Sequence, residues 1–168
     1  MLLDVRTLPI GAPTGPDRIA CLGVIEIRGI QQGDTTRAAP AMLELRPRWE
    51  TAEGLVNFID DALRPVGYRI AGVFEGRESE ALAVAGFREV RSLAWGHYRY
   101  VDDVSTIRTA RRSGHGEKLM GWLAEEARRL GCEGLHLDSG VAADRAPAHR
   151  LYMRHGLRIS AHHFEREI

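Results

Sequence analysis

The segment "TARRSGHGEKLMGWLAEEARRLG", residues 109–131, places two arginines and two glycines directly before an amphipathic helix. Gly114 and Gly116 carry no side chains, so their backbone N–H groups can approach a ligand closely. The first turn of a helix adds unpaired N–H groups and the positive end of the helix dipole. Arg111 and Arg112 supply further positive charge. The combination is typical of a phosphate-binding loop, and a plain tight turn before the helix is the alternative.

Two familiar phosphate motifs do not fit this loop. A dinucleotide-binding fingerprint requires a third glycine three residues after the second, and Leu119 stands there. Its loop also follows the first strand of a domain, whereas this loop comes after several strand-like segments. A P-loop requires lysine and a hydroxyl residue directly after its last glycine, and the letters here are "GEKL". Both kinds of nucleotide site are therefore excluded at this loop.

The composition is that of one ordinary globular domain without excess charge. The 168 residues include 23 Lys and Arg and 23 Asp and Glu, so the formal net charge is zero. A nucleic-acid-binding domain usually carries a basic excess, and no apolar stretch is long enough to cross a membrane. Cys21 and Cys132 lie far apart without metal-ligand spacing, which favours two reduced thiols. We therefore expect a cytoplasmic protein without a signal peptide that binds neither nucleic acid nor membrane.

The spacing of apolar residues predicts strands and helices in the order βααβββαβαβ. Thr51 can cap a helix that ends at Pro65, and three strand-like segments follow it. After the helix of the phosphate loop come a strand "CEGLHLDSG", a short helix "APAHRLYMRHG" and a last strand "LRISAHHFEREI". Residues 1–22, rich in proline and glycine, are expected to form an arm before a mixed α/β domain at residues 23–168.

Two motifs in this order resemble the signatures of the GNAT superfamily of N-acetyltransferases. The first is "RRSGHG", which satisfies the pattern Arg/Gln-x-x-Gly-x-Gly/Ala and opens a helix after a long strand. The second is "AHRLYMRHGL", with Ala148, Tyr152 and Gly156 at the matching places, although Arg145 stands where the family often has asparagine. The resemblance covers about residues 24–168. It implies an acyl-CoA N-acyltransferase fold, in which helices flank a mixed, largely antiparallel central sheet.

The resemblance also implies where acetyl-CoA, the acyl donor, would bind, and it implies no metal. In the family the strand before the loop and the strand after the helix splay apart. The pantetheine arm lies in the gap, paired to backbone like an added strand, and a backbone N–H near Val104 would polarise the thioester carbonyl. The cofactor-binding residues expected from the resemblance are Val104, Ser105, Thr106, Arg111, Arg112, Ser113, Gly114, His115, Gly116, Glu117 and His149.

Acetyl transfer to an amine requires a base for the amine and a proton donor for the departing thiolate. Tyr152 matches the family's proton donor. Asp102 and Asp103 lie on the strand leading to the loop, where the family often carries an acidic residue. Successive strand residues point to opposite faces, so only one of the two can face the cleft unless a bulge intervenes. The pattern narrowly favours Asp102, which would share a face with Tyr100 and Val104; an exposed carboxylate pair is the alternative.

These expectations describe an N-acetyltransferase that moves an acetyl group from acetyl-CoA to a primary amine by direct attack in a ternary complex. The acceptor would be a small-molecule or peptide amine, and Arg46, Arg48 and Trp49, between the first two helices, could recruit an acidic one. The alternative is a non-catalytic acyl-CoA-binding sensor on the same fold, which would not need Tyr152 or the strand carboxylates. A homodimer is possible, because a short terminal strand can leave a sheet edge to be covered.

Overall fold

The computed structural model describes residues 24–76 and 79–168 as strands and helices in nearly the predicted order. The expected arm at residues 1–22 and Cys21 lie outside the described residues. The strands are β1 (Ile25–Ile30), β2 (Arg69–Glu75), β3 (Ala83–Ser92), β4 (Gly96–Thr106) and β5 (Gly134–Leu137). The α-helices are α1 (Ala39–Leu45), α2 (Ala52–Phe58), α3 (His115–Arg129) and α4 (Ala146–Arg154).

The strands form one sheet in the order β1-β2-β3-β4-β5 within the described part of the chain. The pairs from β1 to β4 are antiparallel, and β4 pairs with β5 in parallel. The sheet is therefore mixed and largely antiparallel, with helices on both faces, and the predicted fold class is confirmed. The parallel pairing ends where Val101 lies opposite Leu137, but β4 continues to Thr106. Beyond Val101, the edge of β4 that would face β5 has no strand partner among the described residues.

Alternation of side chains along the strands builds one apolar cluster on each face of the sheet. On β2, Ile70 and Phe74 belong to the cluster that α1 and α2 cover, which we call the α1/α2 face. Ala71 and Val73 belong to the cluster beneath α3, which we call the α3 face. Buried helix residues complete the two clusters: Met42 and Leu55 on the α1/α2 face, and Leu119, Leu123 and Tyr152 on the α3 face.

The helix predicted to begin after Thr51 forms as expected. The Thr51 hydroxyl accepts a hydrogen bond from the Gly54 N–H at 3.1 Å, which satisfies one of the free donors at the start of α2. The helical path continues through a π turn at Ile59–Leu63 and a 3₁₀ turn at Arg64–Val66. Gly67, with φ of 98°, then reverses the chain into β2. Within the described residues no helix is long and apolar enough to cross a membrane.

The predicted last strand is wrong, because residues 157–168 form no strand. A strand needs both a hydrogen-bonding partner and a buried face. Leu157, at the start of this segment, packs against the cluster on the α3 face, but Ile159, Phe164 and Ile168 are at least 77% exposed, so the rest of the segment buries no large apolar side chain. Among the described strands, β5 is left at the edge of the sheet, and the possible homodimer stays a prediction.

Candidate active site

A β-bulge in β4 brings the two predicted carboxylates to the same side of the sheet. Gly86 of β3 lies opposite Asp103, but the next β3 residue, Phe87, lies opposite Val101. Asp102 is therefore the extra residue in β4. An extra residue resets the alternation of side chains, and both Asp102 and Asp103 consequently lie on the α1/α2 face. The sequence-based expectation that one of the pair would point away holds only for a regular strand.

Asp102 is held by an arginine of the neighbouring strand. Arg88 donates from Nε to Asp102 Oδ2 at 3.0 Å and from Nη2 to Oδ1 at 2.5 Å. This two-pronged geometry fixes both the carboxylate and the guanidinium plane. The Arg88 guanidinium also lies 5.4 Å from the ring centre of Tyr100. Asp102 thus shares a face with Tyr100, as predicted, but not with Val104, which packs into the cluster on the α3 face.

Asp103 is held by two groups from distant parts of the chain. The Tyr68 hydroxyl donates to Asp103 Oδ2 at 2.6 Å, and Arg46 Nε donates to Asp103 Oδ1 at 2.7 Å. Arg46 also donates from Nη2 to the backbone oxygen of Asp102 at 3.0 Å, so it binds the backbone of the bulge as well as the Asp103 side chain. Burial, and then the Asp103 carboxylate, raise the pKa of Tyr68 far above its ordinary value. Tyr68 therefore remains a hydrogen-bond donor to Asp103 across the working range of pH.

The predicted phosphate loop ends in an exposed helix N-terminus. Gly114 has φ of 78°, a left-handed conformation that favours glycine, and Arg112 adopts φ of 67°. The first hydrogen bond of α3 runs from the Lys118 N–H to the Gly114 oxygen at 3.1 Å. No side chain of the described residues caps the helix. The N–H groups of the first turn therefore remain available to an anion, together with the positive end of the helix dipole.

The two arginines of this loop are both exposed but differ in their contacts. Arg112, Ser113 and Gly114 are exposed. Arg111 is anchored: its Nη2 forms an ion pair with Glu44 of α1 at 2.7 Å, and its Nε donates to the Thr106 oxygen at 3.2 Å. Arg111 thus ties the loop to α1 and β4, whereas Arg112 makes no hydrogen bond or ion pair within the described residues and is available to meet a phosphate.

Gly116 and Glu117, also predicted to bind cofactor, hold α4 against α3. A Cβ on Gly116 would lie 3.1 Å from Leu151 Cδ2, so glycine permits the close approach of the two helices. Glu117 accepts hydrogen bonds from Arg154 Nε at 2.8 Å and from His155 Nε2 at 2.6 Å. These contacts fix the helix that carries Tyr152.

Tyr152 projects from α4 into the apolar cluster of the α3 face and is 8% exposed. Burial raises the pKa of its hydroxyl, and the nearby Arg145 guanidinium, which hydrogen-bonds to it, opposes that rise. The hydroxyl is therefore protonated at neutral pH, as a proton donor must be. Tyr152 and the two carboxylates lie on opposite faces of the sheet. His149 of the same helix binds the Gly140 oxygen through Nε2 at 2.9 Å, which steadies the segment between β5 and α4.

The predicted thioester-binding residues 104–106 pair with residues 83–85 of β3 along one edge. Their other edge faces the gap beyond the end of β5. Ser105 is buried, whereas Val104 and Thr106 are partly exposed. An open backbone edge that leads to an uncapped helix N-terminus fits an extended molecule with a phosphate group, as acetyl-CoA is. No group of three or more His, Cys, Asp or Glu side chains within the described ranges could hold a metal ion.

His115 has an environment that makes the folded state sensitive to pH. Its side chain is 7% exposed, and its Nδ1 is buried without a hydrogen-bond partner among the described residues. Burial, and then the positive charge of Lys118, lower the pKa of the imidazole, while Glu75 opposes this shift. The folded chain therefore takes up this proton at a lower pH than the unfolded chain does.

We expect His115 to contribute to a loss of stability when the pH falls from 7 to 5. The imidazole of the unfolded chain binds a proton near pH 6.5. The stability that the neutral His115 contributes is therefore present above that pH and is lost as the pH falls through the pKa of the folded state. His115→Gln should make Tm decline less over this range than in the wild type. His162→Gln, which changes an exposed histidine, is the control. If Tm fell equally with pH in the two variants, His115 would not be the source of the pH dependence.

Sequence reasoning missed three residues that shape the bulge: Gly86, Tyr68 and Arg88. A signal was present for one of them, because an isolated glycine inside a strand often marks a bulge or a close approach. A Cβ on Gly86 would lie 1.7 Å from the Tyr68 hydroxyl oxygen, which is the close approach in question. Tyr68 and Arg88 carry no local signal, because their partners lie 35 and 14 residues away in the chain.

The fold is similar to that of several solved structures, among them acetyltransferases. A Trypanosoma brucei acetyltransferase is 19% identical, with a TM-score of 0.69, and the match covers 86% of this chain and 100% of that chain. A ribosomal-protein-alanine N-acetyltransferase from Brucella melitensis biovar Abortus 2308 is 14% identical, with the same coverage and a TM-score of 0.70. A transcriptional regulator from Bacillus halodurans C-125 is 19% identical, again with that coverage, and its TM-score is 0.72. At these identities the likeness shows the fold alone.

The sequence itself matches a family. Residues 35–157 match the model of the Acetyltransferase (GNAT) family, whereas comparison with curated proteins gives no match. The matched range includes the bulge of β4, the loop before α3 and Tyr152, which are the features described above. Because this match spans most of the chain, the protein belongs to the GNAT family of acetyltransferases.

Proposed function

We propose that this protein is an acetyl-CoA-dependent N-acetyltransferase that acts on a primary amine. The observation that carries the proposal is the continuity between the open edge of β4 and the uncapped N-terminus of α3. Residues 104–106 would pair with the pantetheine arm, and a backbone N–H near Val104 would polarise the thioester carbonyl. The first turn of α3 and Arg112 would bind the pyrophosphate. Acetyl-CoA is the acyl-donor substrate of this reaction, and no metal is required.

Transfer would occur by direct attack in a ternary complex. The amine nitrogen forms a bond to the carbonyl carbon, the carbon–sulfur bond breaks, and the sulfur leaves with the electron pair. Tyr152, which is buried and protonated, would supply the proton to that sulfur. Asp102 or Asp103 would receive the proton that the amine releases, directly or through water. Cys132 Sγ lies 3.6 Å from His97 Nε2, at the other end of β4 from Thr106, which argues against an intermediate bound to Cys132.

Calorimetric titration with acetyl-CoA tests whether the loop before α3 binds this substrate. Arg112→Glu should weaken binding about 10- to 100-fold, since it removes a charge-assisted contact and adds repulsion. Arg128→Glu, which makes the same charge change near the other end of α3, should leave the affinity unchanged. No binding by the wild type would mean that the loop is only a turn, and the proposal would be lost.

Thiol release in the presence of a panel of amines tests whether the protein transfers the acetyl group. Release that depends on the amine supports the proposal that the protein is an enzyme. Binding of acetyl-CoA without release on any amine would favour the non-catalytic sensor instead. Because Tyr152 and the two carboxylates are positioned by contacts that a sensor would not need, we expect turnover.

A further inference from the structure

The two ion pairs at the bulge are arranged with the arginines outermost. The side chain of Asp103 is 11% exposed and that of its partner Arg46 is 48% exposed. The side chain of Asp102 is 21% exposed and that of Arg88 is 39% exposed. A molecule that approaches the bulge from the α1/α2 face therefore meets guanidinium groups before it meets carboxylates. The face presents positive hydrogen-bond donors, although the four charges sum to zero.

Each of these guanidinium groups has donors to spare. Arg46 uses Nε and Nη2 on the bulge, and Arg88 uses Nε and Nη2 on Asp102. Neither Nη1 group makes a hydrogen bond to any part of the chain that the structure describes. Because Asp102 and Asp103 are adjacent and lie on one face, the two arginines that bind them are brought together from different elements. Two Nη1 groups that are held by adjacent residues of β4 suit the paired oxygens of a carboxylate.

Charge balance limits what can bind there. A purely anionic molecule would be attracted by the outer arginines but repelled by the two carboxylates behind them. A purely cationic amine would meet the guanidinium groups first. A molecule that carries a carboxylate close to its amine satisfies both layers, because the carboxylate meets the outer arginines while the amine passes inward toward the carboxylates and the thioester.

We infer that the acceptor carries a carboxylate near its primary amine, and that Arg46 and Arg88 select it through their Nη1 groups. This inference rests on the proposed function and names the substrate class of the same site. A free amino acid and a peptide with an acidic first residue share this chemistry. Arg46 also lies in the segment between α1 and α2 that the sequence indicated as an acceptor-recruiting region. Its neighbour Arg48 lies against Trp49 instead, 5.3 Å from the ring centre, and forms no hydrogen bond or ion pair with the described residues of the bulge.

The test compares acceptors in matched pairs that differ only in the carboxylate. One pair is a free amino acid and its α-amide, and the other is a peptide that begins with Glu and its counterpart that begins with Gln. The measured quantity is kcat/KM from thiol release at saturating acetyl-CoA. We expect the carboxylate member of at least one pair to be preferred about 10- to 100-fold, through a lower KM, because a charge-assisted contact is lost in the amide. The pair that responds identifies the source of the carboxylate.

Variants then assign the preference to the two arginines. Arg46→Gln and Arg88→Gln should each reduce the ratio within the responding pair toward one, whereas Arg48→Gln should leave it unchanged. A purely structural role at the bulge would lower kcat for both members equally and leave the ratio intact. Equal use of both members by the wild type would overturn the inference while the acetyltransferase proposal stood. Absence of acetyl-CoA binding would instead remove the proposed function itself.

Discussion

Tyr152→Phe is expected to lower kcat by about 100-fold or more, in line with the typical contribution of a positioned proton donor. The hydroxyl is the only part of the side chain that the substitution removes. The ring remains in the apolar cluster of the α3 face, where Tyr152 is 8% exposed. Tm and the affinity for acetyl-CoA should therefore stay close to the wild-type values. Thiol release under saturating substrates, together with calorimetric titration, would measure both effects.

The pH dependence gives an independent check on Tyr152. Burial raises the pKa of its hydroxyl above the ordinary value near 10, so the proton is present throughout the neutral and mildly alkaline range. A donor with a raised pKa loses its proton only when the pH exceeds that value, and kcat should not fall with rising pH before then. A Tyr152→Phe enzyme that retains wild-type kcat would show that the proton comes from another group or from solvent.

Gly86→Ala is expected to destabilise the protein by about 1–3 kcal/mol, the usual cost of overpacking a well-packed site. The new Cβ would lie 1.7 Å from the Tyr68 hydroxyl oxygen and 2.4 Å from Tyr68 Cζ. Tyr68 has little room to withdraw, because it is 3% exposed and its hydroxyl is bound to Asp103 at 2.6 Å. Tm should fall by roughly 2–4 °C for each kcal/mol in a chain of this length. Thermal unfolding would measure the change.

Gly121→Ala is the matched control for this substitution. Gly121 lies in α3, and a Cβ there meets no atom within 4 Å. Alanine also favours a helix over glycine by about 1 kcal/mol, so Tm should be unchanged or higher. An unchanged Tm in Gly86→Ala would mean that Tyr68 can leave Asp103 at little cost. If Gly86→Ala lowers Tm as expected, the rate of acetylation should also decline, because moving Tyr68 releases the Asp103 carboxylate that it holds.

The two substitutions examine the two sides of β4. Tyr152 approaches from the α3 face, and the Gly86–Tyr68–Asp103 contact lies on the α1/α2 face. A proton donor on one face and carboxylates on the other would allow one proton to be accepted from the amine while another is delivered to the sulfur.

Short-range information in the sequence was enough to predict much of this protein. Helix α3 and its glycine-rich start depend on residues close together in the chain, because capping, left-handed glycines and apolar spacing act over one or two turns. The same holds for Thr51 at the start of α2 and for the placement of Tyr152 on a short helix. The resemblance to one family rests on such local motifs, and the match over residues 35–157 confirms it.

Only the tertiary structure decided how the candidate site is assembled. The bulge depends on the register between β3 and β4, which places Gly86 opposite Asp103 and leaves Asp102 as the extra residue. No local pattern encodes that register, because it follows from packing across strands and from the room that Gly86 leaves for Tyr68. The terminal segment shows the converse case. Its alternation suggested a strand, but residues 157–168 form none, because a strand requires a partner and a buried face that local sequence cannot supply.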